Sequence, residues 1–389
     1  MNTTQQGIIT LLKSAVTRQT LSLPEGFGLE EALPLIRSHN IVTMAYDGAV
    51  RCGISPKDPL MQKLFGAYCK ATIVSEGQRK ELGRIREAFD RERIDYMLLK
   101  GSRMKDLYPL PELRTMGDAD ILIRTEQYDR IRPLMESLGF EEKEESDHEL
   151  VWRSKGLYLE LHKRLIPSYN RDFYAYYGSG WELAKDCCGT SYSMTPEDEW
   201  IYLFTHFAKH YRDGGIGLRH VTDLWIWRRR NPSMDEKYIE TVLKKLGLLE
   251  FHGNILRLLE LWFENGSSDV VLDVITEFIF SSGSFGDAEM KALSLAVRGS
   301  KHGAAGMSSR MLYLRELVFP DAEALQGKYK VLKKAPWMLP AVWVARPFYK
   351  VLFERKSVTR KLESMESLTK EKIDLRKEML NCVGLDYNF

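Results

Sequence analysis

Asp118-Ala119-Asp120-Ile121-Leu122-Ile123 is the stretch whose reading decides the fold. The run reads as a β-strand, and side chains alternate between faces along a strand. Ala119 and Ile121 therefore face a core, while Asp118 and Asp120 leave together on the other side. Two like charges held side by side repel, and burial sharpens the repulsion. A cation between them removes that penalty. Oxygen donors of this kind suit Mg²⁺, with Mn²⁺ as the alternative ion, since Mg²⁺ takes one or two carboxylates plus substrate phosphates.

Downstream, Leu157-Tyr158-Leu159-Glu160-Leu161-His162 repeats the pattern. Its three leucines share one face, and Tyr158, Glu160 and His162 share the other. A third carboxylate beside the first two completes a set of the kind that holds two metal ions for in-line phosphoryl displacement. Upstream, Tyr96-Met97-Leu98-Leu99 reads as a buried strand running into the turn Lys100-Gly101-Ser102. A glycine at such a turn lets backbone approach a phosphate, and a helix start supplies free N–H donors. Ser102 to Tyr108 suits a short helix that Pro109 and Pro111 break. A helix is expected from about Thr125 to Leu138, stopped by Gly139, and a further strand over His148 to Arg153.

Residues 93–166 thus mix helix and strand signals in one small block, and the flanks read as helical. In 1–92 the residues Leu60, Leu64, Ala67, Ala71, Val74, Leu82, Ile85 and Phe89 form one apolar stripe behind the start signal Asp58-Pro59. In 167–389 a helix starts at Thr195-Pro196-Glu197-Asp198, Gly214-Gly215-Ile216-Gly217 interrupts, and a second helix runs from about Leu218 to Arg230. Further helices are expected over 235–265, 268–281 and near 356–380. The fold class is α+β, a small mixed-sheet core between N-terminal helices and a C-terminal helical region.

Composition excludes more than it assigns. Lys and Arg number 56 against 54 Asp and Glu, a net charge of +2 in 389 residues. A chain devoted to nucleic acid usually carries a larger basic excess, so nucleic acid is not indicated as a partner. The five cysteines contain no CxxC pair, which argues against a disulfide framework or a zinc site. No small-residue cleavage site follows the short apolar run at residues 8–12, so no signal peptide is expected. The uncharged stretch Ala335 to Ala345 is too short to span a bilayer and is expected in the core. A cytoplasmic protein without a membrane partner is the expectation.

An isolated Asp-x-Asp is common on solvated strand ends. Joined to Gly101-Ser102 before it and Glu160 after it, the block resembles the nucleotidyltransferase core of the polymerase-beta superfamily. It is more similar still to a bacterial family of uncharacterised nucleotidyltransferases. There a Leu-Lys-Gly turn, a Tyr-Pro…Arg segment, an Asp-x-Asp strand and a Glu-Leu-His strand follow in order. Here they are Leu99-Lys100-Gly101, Tyr108-Pro109…Arg114, Asp118-Ala119-Asp120 and Glu160-Leu161-His162. The resemblance is strong over about 94–165 and weaker over His206 to Asp223. The longer gap between Ser102 and Asp118, with Pro109-Leu110-Pro111 in it, departs from many superfamily members.

The resemblance implies transfer of a nucleoside monophosphate from an NTP such as ATP to an acceptor, with release of pyrophosphate. Asp118, Asp120 and Glu160 would be catalytic and metal-binding. Gly101 and Ser102 would hold phosphates, with Arg103, Lys105 or Arg114 adding charge. His162, Lys209, His210 and Arg219 would face the nucleotide. Duller roles stand beside these. Arg114 can be a structural partner of Asp118 or Asp120, Arg219 can pair with Asp223 one helical turn on, and His206 with His210 suits packing or substrate contact better than zinc. Two alternatives keep the same fold: a non-catalytic nucleotide-binding or interaction module, and an RNA-modifying toxin-type nucleotidyltransferase. A sugar, an antibiotic, a peptide, a protein side chain and a tRNA end all fit the same carboxylates as acceptors.

Overall fold

Alternating burial builds one mixed sheet of seven strands in the computed structural model of the chain. The structure describes residues 1–302 apart from 147, 169, 285 and 287, and beyond them 331–353, 368–385 and positions 318, 319, 325 and 329. The strands are β1 (Tyr96–Leu99), β2 (Ala119–Ile123), β3 (Glu141–Glu145), β4 (Glu149–Arg153), β5 (Tyr158–His162), β6 (Lys185–Cys188) and β7 (Ser191–Ser193), in the order β3-β4-β5-β2-β1-β7-β6. β2 runs parallel to β5 and antiparallel to β1, and β1 runs parallel to β7. With the helices around it, the sheet makes an α+β fold.

Four of these strands fall where the sequence pattern puts them. β3, β6 and β7 do not, and β6 and β7 lie in a region read as wholly helical. Each has a physical reason. β3 is Glu-Glu-Lys-Glu-Glu, without an apolar alternation, and it forms an edge, where charge guards against further pairing. β6 and β7 span four and three residues, too short to display a period of two.

The two sheet faces differ. Ala119, Ile121 and Ile123 of β2, Leu159 and Leu161 of β5 and Trp152 of β4 are buried against Ile85 and Phe89 of α4 (Pro59–Arg91) and Ile131 and Met135 of α6 (Tyr128–Ser137). The opposite face carries Asp120, Glu160 and His162, and lies towards α8 (Pro196–Arg212) and α9 (Leu218–Arg230). Before α4 come α1 (Thr3–Thr17), α2 (Leu29–Ser38) and α3 (Val42–Arg51), and α5 (Lys100–Met104) follows β1. After β5 come α7 (Arg171–Tyr177), then α10 (Glu236–Lys245), α11 (Leu249–Phe263), α12 (Val270–Ser282) and α13 (Ala288–His302) behind α9, with α14 (Leu339–Phe353) and α15 (Lys370–Cys382) later in the chain.

The sequence signals at the helix starts are used as expected. Asp58 accepts the Leu60 N–H at 2.7 Å, with Pro59 opening α4, and Thr195 accepts the Asp198 N–H at 3.1 Å, with Pro196 opening α8. The apolar stripe of α4 is interrupted, however. Leu64, Ile85 and Phe89 are buried, but Val74 is exposed and the buried positions between are Ser75 and Gln78. There α4 crosses the loop after α5, whose carbonyls need partners, and Gln78 donates to the Met116 carbonyl at 2.9 Å. The stretch 335–345 is also only partly core: Val342 is buried, but Trp337 is 80% exposed. Of the helix expected near 356–380, α15 supplies the end, and residues 356–367 lie outside the described residues. No helix among the described residues is long and apolar enough to cross a membrane.

One buried network fastens the loop before β2 to α9. Arg114 donates from Nη2 to Asp223 Oδ2 at 2.9 Å and from Nε to Oδ1 at 3.3 Å, and the Tyr108 hydroxyl donates to Oδ1 at 2.7 Å. Arg114 and Asp223 are only 6% and 5% exposed. Removing one partner of such a pair leaves a buried charge without compensation. Asp223→Ala is therefore expected to cost about 3–5 kcal/mol in urea unfolding. A loss below about 1 kcal/mol, the size of an exposed ion pair, would show that the network does not hold the two parts together.

Candidate functional site

Register brings the acidic side chains together. Asp120 and Glu160 are Cα partners in the parallel β2–β5 pair, so both carboxylates leave the sheet on one face at neighbouring positions. Asp118, one residue before β2, lines the same cleft of about 340 Å³. Gly101, Arg114, Glu149 and His162 line it from the sheet side, and Lys209, His210 and Arg219 from the helices above. Leu159 and Leu161 are fully buried behind Glu160.

A group that the sequence reading left without a role lies at the bottom of the cleft. Lys100 Nζ is 2.9 Å from Asp120 Oδ1, and His162 Nε2 reaches the same oxygen at 2.9 Å. In an uninterrupted strand Lys100 would follow Leu98 to the opposite face. Its backbone instead turns into the left-handed region, φ +43°, and the ammonium comes to lie beside Asp120. Burial opposes the charge on Lys100, but Asp120 outweighs it and raises its pKa. Burial likewise opposes the charge on Asp120, yet Lys100 and His162 hold that carboxyl well below the usual range. No local signal marks Lys100, because its place follows from the Leu99↔Asp120 register and from the turn after Leu99.

Asp118 responds in the opposite sense. Burial, then the nearby charges of Asp120 and Glu160, push its pKa up to about 6. One carboxyl of the three is thus held near the edge of protonation by burial and by its charged neighbours. The donor set fits a hard divalent ion for the same reason: such an ion relieves the repulsion that raises Asp118. Asp120, Glu160 and His162 also offer donor atoms that lie within 4.8 Å of one another.

The remaining candidates divide. Gly101 lines the cleft, and a Cβ there would come 2.5 Å from Arg114 Nη1, so the glycine makes room for that guanidinium. Arg114 pairs with Asp223, not with Asp118 or Asp120. Arg219 is not engaged with Asp223 as an i,i+4 pair; it donates to the Thr115 carbonyl at 3.0 Å, and burial followed by the charge of Arg114 lowers its pKa to about 10. Ser102 is buried and its hydroxyl accepts the Asp120 N–H at 2.9 Å, which anchors the carboxylate-bearing strand. Lys105 is turned away under α4, 3.4 Å from Gln78 Oε1, with its pKa lowered to about 8 by burial and by Arg114. Neither Ser102 nor Lys105 is among the residues lining the cleft.

The roof contains three histidines. His206 and His210 approach to 3.0 Å between their Nε2 atoms, and His220 of α9 stacks obliquely near both. Burial lowers all three pKa values well below the ordinary one, so these imidazoles are neutral at pH 7. The positive charge of the roof therefore rests on Lys209 and Arg219.

A protein-family profile described as an uncharacterised nucleotidyltransferase matches residues 25–264, which takes in the sheet, the cleft and helices α2 to α11. No curated protein and no solved structure matches the chain.

The raised pKa of Asp118 gives a pH dependence of known sign. A carboxyl whose pKa rises from 3.8 to about 6 on folding binds its proton more tightly when folded. Stability from that proton is full below about pH 4 and is lost as pH rises through about 6. In EDTA, Asp118→Asn should thus be more stable than wild type at pH 7.5, by on the order of 2 kcal/mol. The difference should shrink towards pH 4 in urea unfolding. A variant no more stable than wild type at pH 7.5 would mean that the three carboxylates do not strain one another.

Proposed function

We propose, since this chain belongs to the uncharacterised nucleotidyltransferase family, that its cleft transfers a nucleoside monophosphate from an NTP to an acceptor, on the polymerase-beta pattern. One observation carries the reading: Asp118, Asp120 and Glu160 share one face of one cleft, with Asp120 and Glu160 in direct register. A site that only bound phosphate would favour cations in that position. Three carboxylates favour a site that takes the phosphate together with Mg²⁺ or Mn²⁺.

Asp118, Asp120 and Glu160 would hold the metal. When bound, it supplies charge neutralisation at the transferring phosphoryl group. The chain's own residues do the rest. Glu160 is partly exposed and borders the cleft, and it would accept the proton of the attacking acceptor group. Lys209 and Arg219, above the carboxylates, would meet the triphosphate oxygens that the metal leaves uncovered. Lys100 and His162 fix the orientation of Asp120, and Ser102 fixes the strand beneath it. Rate would come from positioning and charge, as in other phosphoryl transfers.

The test begins with binding. Thermal stabilisation by each NTP should require Mg²⁺ and vanish in EDTA, because a ligand stabilises only the state that binds it. Pyrophosphate release against acceptor candidates then reads turnover. Asp120→Asn and Glu160→Gln should each lower it by more than about a hundredfold, the scale of lost transition-state charge stabilisation. The double variant should lose little more, since both residues act through the same ions. Metal-independent shifts would remove the metal site, and a fully active Glu160→Gln enzyme would remove that residue from the chemistry.

A further inference from the structure

Beside the carboxylates, on the side where β4 borders β5, lies a second group of donors. Glu149 and His162 are Cα partners across these antiparallel strands, so their side chains leave on the same face, and both line the cleft. His148 precedes Glu149, and its carbonyl accepts the Lys163 N–H at 2.7 Å, which continues the ladder by one step. His148 lines the cleft as well. The three residues each offer one ligand atom, and all three atoms lie within 4.8 Å of one another.

The ring nitrogens are already sorted. His148 Nδ1 is 3.3 Å from Ser146 Oγ, and its Nε2 is 2.9 Å from Glu149 Oε2. His162 Nε2 is 2.9 Å from Asp120 Oδ1, while its Nδ1 is buried and has no hydrogen-bond partner. The His162 residue as a whole is 2% exposed. A metal-bound histidine commonly donates its second ring N–H to a carboxylate, which fixes the tautomer and leaves the other nitrogen for the ion. His162 has that arrangement with Asp120. A cluster serving only to fasten the strand edge has no use for a buried imidazole nitrogen left without a partner, whose desolvation is a cost.

We propose that His148, Glu149 and His162 form a second cation site in the cleft, taking a transition-metal ion of the Zn²⁺ or Co²⁺ class rather than Mg²⁺. Two imidazoles and one carboxylate are borderline-soft donors that suit such ions, whereas Mg²⁺ prefers oxygen alone. Bonds of about 2.0–2.2 Å put donors roughly 3 Å apart on one ion, the separation that His148 and Glu149 already have. Both of those side chains are partly exposed and have room to close. Three protein ligands leave a coordination position open for water or a substrate oxygen, as in metal sites that do chemistry. The inference rests on the donor geometry and not on the nucleotide reading.

The experiment uses the full chain, stripped with EDTA and titrated with Co²⁺ alone in the presence of saturating Mg²⁺. The expected result is one equivalent with visible d–d absorption, displaced by Zn²⁺. His148→Ala and Glu149→Gln should each weaken it at least about tenfold, the loss that follows even from removing an outer partner of a ligand. Asp118→Asn and His210→Ala should leave it unchanged. Glu149→Gln is nearly isosteric and keeps the test decisive if His148→Ala folds poorly, which unfolding midpoints will report. No Zn²⁺-displaceable equivalent, or wild-type affinity in Glu149→Gln, overturns the proposal; weakening by His210→Ala instead would put the ion on the histidines of the roof. Mg²⁺-dependent NTP binding is measured on the same samples, so failure of this site and failure of the nucleotide reading appear as separate results.

Discussion

Lys100 lies 2.9 Å from Asp120 with both side chains largely out of water, and the arrangement around the cleft follows from keeping them there. A buried carboxylate beside two others is unfavourable by itself. The ammonium and His162 stabilise one of the three in its charged form, and the repulsion then falls on Asp118. The result is a site with one carboxylate firmly ionised and oriented, and a neighbour that holds its proton more tightly than an ordinary carboxyl. A cation brought beside the pair would relieve the repulsion that contributes to this raised pKa.

Two further constraints keep the pair in place. Ser102 ties the Asp120 backbone to the turn after β1, so Lys100 and Asp120 are fixed from one turn. Arg114 packs over Gly101 and pairs with Asp223, which links the same turn to α9 and the roof of the cleft. The floor and roof are thus joined through a buried ion pair that does not touch the acidic cluster. Arg114 serves the cleft by holding its walls, whatever it contributes to the field inside.

The cleft is also divided by charge type. The carboxylates Asp118, Asp120, Glu149 and Glu160 gather on the sheet side, where Lys100 is paired with Asp120, and the cationic groups Lys209 and Arg219 come from the helices. The roof histidines are neutral, so they add hydrogen-bonding capacity without repelling a metal. An anionic ligand brought in with a cation would meet complementary charge on both sides, which is the condition for strong binding in a partly desolvated site.

The sequence by itself determined the strands with an apolar alternation, the helix starts at Asp58-Pro59 and Thr195-Pro196, and the sharing of one face by Glu160 and His162. These depend on periodicity and capping, which are local and appear in consecutive residues. Only the tertiary structure decided that Asp120 stands opposite Glu160, that Arg114 belongs to Asp223, that Lys100 neutralises Asp120, and that Ser102 and Lys105 turn away from the cleft. It also decided the charged edge strand β3 and the short pair β6 and β7, which carry no period of their own. The reason is common to all of them. Strand register and ion-pair choice depend on which residues far apart in the chain reach the same buried volume, and a buried charge takes whichever partner that volume contains.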